Sequence, residues 1–336
     1  MKISRHGFQK SVIILIIQMI EEENMERALV TGGAGFIGSN IVEGLVERDV
    51  EVVVLDDLYL GTEDNLESVS DEAEFIQGSV LDEEKVDKAV QNVDVIFHQA
   101  ARSSSPMHKE DPAECERVNV EGFVNVAEAA IEEGVEKIVY ASTSSMYGSV
   151  SPPHREDMDL KPQNRYTASK MSREMYAQCY SYKGEIETTG LRYFSVFGPH
   201  EKGKGKYANV VTQFLWKMME GEQPVIWGDG TQERDFVYVK DVVRANMKAA
   251  ETREELDGEV INIGRGDPVT FNQVVEKLNF ALDKSIDPEK IENPRDKYVE
   301  EHRADISKAE NLLDWSPQYS FEEGLQKTVD CYREHP

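Results

Sequence analysis

Residues 26–38 read ERALVTGGAGFIG, and the fold follows from this stretch. An apolar run of strand type ends in Gly32, Gly35 and Gly38 at GxxGxxG spacing, and apolar residues at helical spacing follow over 39–47. In a strand, glycine turn and helix of this kind, the helix N-terminus meets a dinucleotide pyrophosphate. Glycine permits the tight turn, the close backbone approach and the packing of helix on strand. Gly32, Gly35, Phe36, Ile37 and Gly38 are therefore expected to bind the cofactor. EVVVLDD, residues 51–57, reads as a second strand with Asp56 at its end. A carboxylate there accepts hydrogen bonds from the adenosine ribose hydroxyls and repels a 2′-phosphate. Asp57 adds a second acid, and no arginine stands nearby in the sequence, which favours NAD over NADP.

The alternation continues. EFIQGSV reads as a third strand, a helix starts from Asp82, DVIFHQAA is a strand, residues 113–133 are a helix, and KIVYAST is a strand. Val- and Ile-rich strands, each followed by an amphipathic segment, indicate an α/β fold with a doubly wound parallel sheet and helices on both faces. After Phe197 the character changes. GPHEKGKGKYAN is a Gly- and Lys-rich loop, followed by a helix through Trp216, PVIWGDG, RDFVYVKD leading into another helix, and the strand EVINIG. Two tail helices are expected, over 307–313 and 321–333. Residues 25–195, with about 236–262, are expected to form the cofactor-binding domain. Residues 196–235 and 263–336 are expected to form a smaller, discontinuous α/β domain over the strand ends, where such sheets bind ligands.

The chain has 336 residues and a formal net charge of −27, with 64 acidic side chains against 37 Lys and Arg. Such a surface repels nucleic acid and anionic membranes, and it suits a salt-rich cytoplasm in which screening relieves the self-repulsion. Three cysteines without CxxC spacing suggest neither a disulfide framework nor a zinc site, so a reducing cytoplasm and no metal are expected. Residues 1–24 differ from the rest: Lys2, Arg5 and Lys10 precede an apolar run, 12–20, broken by Gln18. That run is too short to span a bilayer and lacks a small-residue cleavage site. It reads as a disordered extension or an upstream start.

YTASK, residues 166–170, carries the chemistry. Tyr166 and Lys170 stand at i and i+4 and share one helix face. A free phenol with a pKa near 10 is a poor base at neutral pH, but a neighbouring ammonium stabilises the phenolate. ASTSSMYG, residues 141–148, puts hydroxyls at the C-terminal end of a strand, facing the ligand crevice. Thr143 is placed to hydrogen-bond the substrate oxygen that Tyr166 deprotonates, and some of Ser142, Ser144 and Ser145 cap the following turn.

With TGGAGFIG, LDD, HQAA, RVNVEGF, ASTSSMYG, YTASK, LRYFSVFGP, GDGTQERDFVYVKDV and ADISKA in order, the chain from 25 to 332 resembles the extended short-chain dehydrogenases/reductases, specifically the nucleotide-sugar epimerases and dehydratases. The resemblance implies a Rossmann-type domain holding NAD, a nucleotide-diphosphate sugar as substrate, and a homodimer. It makes Thr143, Tyr166 and Lys170 the catalytic trio, Asn119 the asparagine beside the sheet, and Ala100 and Ala101 the nicotinamide-side lining. Arg234 matches the arginine that grips the diphosphate, and Arg295 is a second candidate for the same group. Ser79–Val80 stands where the family has Asp before the residue that contacts adenine, and Ser195 stands where many 4-epimerases have Asn. Related 4,6-dehydratases carry Asp-Glu after the catalytic Thr, and related decarboxylases carry a Glu two residues after it. Here those positions are Ser144 and Ser145, which supply no carboxyl acid or base. The resemblance thus favours UDP-hexose 4-epimerisation through a transient 4-keto sugar. The lysine-rich loop keeps open an ADP-heptose-like 6-epimerase, with Lys204 as a second base, beside another nucleotide-sugar dehydratase or reductase. A non-catalytic dinucleotide-binding scaffold is the alternative of another class.

Overall fold

The computed structural model of the protein describes residues 25–252, 256, 258–293 and 299–335; the 1–24 extension and Arg295 lie outside the described residues. The chain forms β1 (Arg27–Thr31), α1 (Phe36–Val46), β2 (Glu51–Asp56), β3 (Ala73–Gln77), α2 (Glu83–Ala89), β4 (Val95–His98), α3 (Gly122–Glu133), β5 (Lys137–Thr143), α4 (Arg165–Tyr182) and β6 (Glu187–Tyr193). It continues through β7 (Ser195–Phe197), α5 (Val210–Met219), β8 (Val225–Trp227), β9 (Glu233–Arg234), β10 (Phe236–Tyr238), α6 (Val239–Glu251), β11 (Val260–Ile263), β12 (Val269–Thr270) and α7 (Phe271–Leu282). After β13 (Glu289–Ile291) the tail holds α8 (Ser307–Leu313) and α9 (Phe321–Glu334).

Seven strands form one sheet in the order β11-β6-β5-β4-β1-β2-β3, every pair parallel. The Val- and Ile-rich runs explain it, because a strand buried on both faces needs apolar side chains at every position. Ala28, Val30, Val52 and Val54 join one core cluster, with Ile41, Leu45 and Val243 from α1 and α6. Leu29, Val53 and Leu55, pointing the other way, join a second cluster with Val86, Phe123, Val126 and Ala177. The first cluster continues into Trp315, Phe321 and Val329 of the tail. β7 pairs with β10 beyond the end of β6.

Two local readings differ from the sequence. The helix expected over 113–133 is interrupted by a π-type segment, Arg117–Glu121, that carries Asn119. Within it the Asn119 carbonyl accepts a hydrogen bond from Arg173 Nε at 3.0 Å, and such π-type turns mark functional segments of helices. Helix α7 was not expected, although Thr270 and Gln273 form a capping box that the sequence displays.

Helix α4 is fastened to the sheet by a buried ion pair. Arg192 on β6 donates from Nε and Nη2 to Glu174 at 3.0 and 2.8 Å, with both side chains under a tenth exposed. Arg192→Met leaves that carboxylate buried without its cation and is expected to cost about 3–5 kcal/mol, read as a lower midpoint of urea unfolding. Adding Glu174→Gln should recover much of the loss.

Candidate active site

The C-terminal ends of β1, β2, β4, β5 and β6 open into a cleft of about 610 Å³. Its lining brings together nearly every residue singled out from the sequence: Gly32, Gly35, Phe36, Ile37 and Gly38; Asp56; Ser79 and Val80; Ala100 and Ala101; Thr143, Tyr166 and Lys170; and Ser195, Lys204 and Arg234.

The glycine turn is built for close approach. A Cβ on Gly38 would lie 2.1 Å from the Gly32 carbonyl oxygen, and one on Gly32 would lie 2.7 Å from the Ala100 nitrogen. Helix α1 starts at Gly35 with no side-chain cap, whereas α4, α7 and α9 each start in a full capping box. Its first-turn N–H groups and positive dipole end therefore face the cleft, where an anion satisfies them. Asp56 is held rigidly, accepting Ala34 N at 3.0 Å and Leu58 N at 2.7 Å. Burial raises its pKa, and those two backbone donors oppose the rise. Each oxygen keeps acceptor capacity for a ribose hydroxyl. An uncapped helix, a glycine cradle and a fixed carboxylate fit a dinucleotide. Ser79 Oγ accepts Leu81 N at 3.2 Å, so it serves the local turn.

At the other end, Asn164 caps α4, accepting Thr167 N at 3.0 Å, and this sets Tyr166 and Lys170 in the first two turns. Thr143 lines the cleft with Tyr166, and its Oγ1 accepts Ser145 N at 3.1 Å. Lys170 Nζ donates to the Ala141 carbonyl at 3.0 Å. Burial pushes the phenol up, while the Thr143 hydrogen bond and the Arg173 charge pull it down. The Lys170 ammonium lies well below its ordinary value, through burial and then through the like charge of Arg173. Ser142 Oγ donates to Glu174, so this hydroxyl belongs to the framework. Asn119 accepts Arg102 N at 2.8 Å and donates to Ser169 Oγ at 2.9 Å.

Several participants escaped the sequence reading. Arg173 acts electrostatically on Tyr166, three positions past Lys170 on the same face. The His108 ring stands edge-on to the Tyr166 ring at 5.4 Å, with Nδ1 on the Ser104 carbonyl. His302 lines the cleft, donates from Nε2 to the Ser144 carbonyl at 3.2 Å, and keeps a buried Nδ1 without a partner. One expectation is corrected: an arginine does stand beside Asp57. Arg102, distant in sequence, reaches it at 2.9 Å because the loop after β4 folds next to the loop after β2.

Residues 28–264 match the NAD dependent epimerase/dehydratase family. The chain belongs to that family. It is 35% identical over 306 residues to a putative UDP-glucose 4-epimerase of Methanocaldococcus jannaschii, covering 90% of this chain and 97% of that one. It is 33% identical over 324 residues to a UDP-N-acetyl-alpha-D-glucosaminuronate decarboxylase of Bacillus cytotoxicus, covering 92% and 98%. The crystal structure of UDP-glucose 4-epimerase with UDP-glucose from Thermotoga maritima superposes with a TM-score of 0.86 at 36% identity, covering 92% of this chain and 99% of that one. The protein is thus an NAD-dependent enzyme of the nucleotide-sugar epimerase type, with a Rossmann-type sheet. Among the described residues, no helix is long and apolar enough to cross a membrane and no cluster of ligands suits a metal ion.

His302 gives the site an acid-side signature. Burial, then the charges of His154 and Arg234, lower its pKa to about 3. The unfolded chain takes up that proton near pH 6.5 and the folded chain does not, so this contribution to stability is complete above 6.5 and is lost as pH falls toward 3. The limiting slope is about 1.4 kcal/mol per pH unit. Urea unfolding between pH 7 and 5 is expected to show a shallower loss for His302→Phe than for the parent chain.

Proposed function

We propose that the protein epimerises a UDP-hexose at C4 through a transient 4-keto sugar. The observation that carries this reading is the distribution of charge along the cleft. Among the described residues that line it, Asp56 and Asp57 are the carboxylates, Asp56 ending β2 and Asp57 following it, at the adenosine end. Around Thr143 and Tyr166 stand Ser144, Ser145, Ser195 and the imidazole of His302. Dehydration or decarboxylation needs a further acid or base there, and serine hydroxyls do not provide one.

The uncapped start of α1 binds the pyrophosphate, and Asp56 the adenosine ribose. NAD, when bound, supplies a reversible hydride acceptor. Arg234, half-buried, presents a guanidinium that matches the substrate diphosphate. Tyr166 as phenolate removes the O4 proton and later returns it, and Thr143 orients that oxygen. Lys170 and Arg173 stabilise the phenolate in a site with little water to screen them.

The Lys204 ammonium meets Glu201 Oε1 at 2.6 Å, and that carboxylate is fully buried and also accepts from Asn209 N. An ammonium tied to a buried carboxylate in this way is poorly placed to reach a sugar proton as a second base. It lies 5.2 Å from the centre of the Phe36 ring, at the start of α1, which suits a role beside the cofactor phosphates.

Incubating the enzyme with a panel of UDP-hexoses, UDP-hexuronic acids and UDP-N-acetylhexosamines, without added cofactor, and following the sugars by NMR tests this reading. A UDP-hexose should interconvert with its C4 epimer, with no loss of water or carbon dioxide. Tyr166→Phe should lower kcat at least 10²-fold, the scale of general base catalysis, while cofactor binding persists; full turnover in this variant would refute the role. Lys204→Ala should raise the KM several-fold yet leave kcat within about tenfold, whereas a second base would cost 10²-fold or more.

A further inference from the structure

Arg102 occupies an unusual position for a cation in this cleft. Its backbone is clamped by Asn119, which accepts the Arg102 N–H at 2.8 Å and donates to the Arg102 carbonyl at 3.3 Å. Its side chain, 9% exposed, runs from the loop after β4 to the loop after β2. There Nη2 donates to Asp57 Oδ2 at 2.9 Å and approaches Glu114 at 3.6 Å. The Tyr59 ring lies flat against the guanidinium, 3.8 Å from its carbon to the ring centre. The buried Nε has no partner. Asp56, Asp57, Tyr59 and Arg102 all line the cleft.

Clamped at its backbone and stacked on an aromatic face, a guanidinium with spare donors is the group that recognises a phosphate in a fixed plane. It stands beside the carboxylate that meets the adenosine ribose, where a 2′-phosphate would sit in NADP. Asp57 prevents that use. It is tied to its own turn, accepting Tyr59 N at 3.1 Å, and is 29% exposed, so it adds negative charge at the ribose while occupying the cation.

We infer that the Asp57–Arg102 pair is the determinant that restricts the enzyme to NAD, and that Arg102 is a 2′-phosphate site held shut by Asp57. The inference rests on the reading that Asp56 meets the adenosine ribose. Arg102 itself takes no part in proton transfer; it sets which adenosine ribose the cleft accepts.

Dissociation constants for NAD and NADP, measured by calorimetry on the full chain and its variants, test it without reference to turnover. The parent should prefer NAD by about 10²-fold or more. Asp57→Asn should shrink the NADP/NAD ratio of dissociation constants at least tenfold. Adding Arg102→Gln to Asp57→Asn should abolish that gain. An unchanged ratio in Asp57→Asn overturns the inference, as does a gain that survives removal of Arg102, since the effect is then lost repulsion alone. Asp56→Asn separates this failure from failure of the underlying reading. If Asp56 meets the ribose, that variant weakens NAD itself at least tenfold whatever Asp57 does. If neither position alters either constant, the ribose does not lie there. Thermal unfolding of each variant, with and without NAD, checks that the constants come from folded protein.

Discussion

Arg173 is fully buried, and its guanidinium donates to the carbonyls of Asn119, Ala100 and Ala141. A buried guanidinium is tolerated only when its N–H groups are matched, so these carbonyls must converge on it. They belong to the π-type segment, the loop after β4 and strand β5, and the one side chain gathers all three against the middle of α4. Lys170, a turn earlier, donates to the same Ala141 carbonyl. Both side chains are thereby held dry on carbonyl dipoles, and the buried Glu174 acts on Lys170 as an opposing charge. The phenol of Tyr166 stands in the field of Arg173. Burial alone makes it a weaker acid, and the Arg173 charge and the Thr143 hydrogen bond act the other way. Burial is the largest of these effects and the phenol stays above its ordinary value, so Arg173 and Thr143 only partly offset it, and that balance cannot be separated from the packing of α4.

The same reasoning resolves the contradiction of a chain with net charge −27 that binds anions. Acidic side chains dominate the surface, where water and salt screen them over about 10 Å. The cleft instead carries Lys170, Arg102, Lys204 and Arg234, together with the uncapped end of α1. Within a low-dielectric crevice a few fixed charges outweigh many screened ones at the surface.

Much of this was legible in one sequence, and the reasons are local. The glycine turn, the acid at the end of β2 and the i, i+4 spacing of Tyr166 and Lys170 are short-range patterns that backbone geometry reads directly. The strand alternation likewise announced the parallel sheet. What stayed hidden depends on long-range meetings. Arg102 finds Asp57 because β4 and β2 flank β1, and His302 finds Ser144 from the far end of the chain. No spacing rule encodes either contact. The meeting of Arg173 with the Asn119 carbonyl in the π-type segment is long-range in the same way. Helix α7 is different, because its Thr270–Gln273 capping box was in plain view.

The arrangement of groups also limits what chemistry this cleft can complete. On the proposed reading Tyr166 is the group that exchanges a proton with the sugar; His302 stays neutral above about pH 4 and the serines do not titrate. A proton taken by that group has no second acid to leave by, so the same group must give it back. In an epimerisation cycle that exchanges no NAD with solution, a hydride removed from the same carbon likewise returns to it. Net change then has only one place to appear, which is the face of the sugar that receives the hydride. For that face to change, the keto sugar must turn while its diphosphate stays anchored. A cleft with an arginine at the diphosphate and small hydroxyl side chains around the ring allows that turn; one crowded with ion-paired carboxylates would not. The subtraction of acids from the sugar end therefore does double service, removing the competing reactions and leaving room for the motion that epimerisation requires.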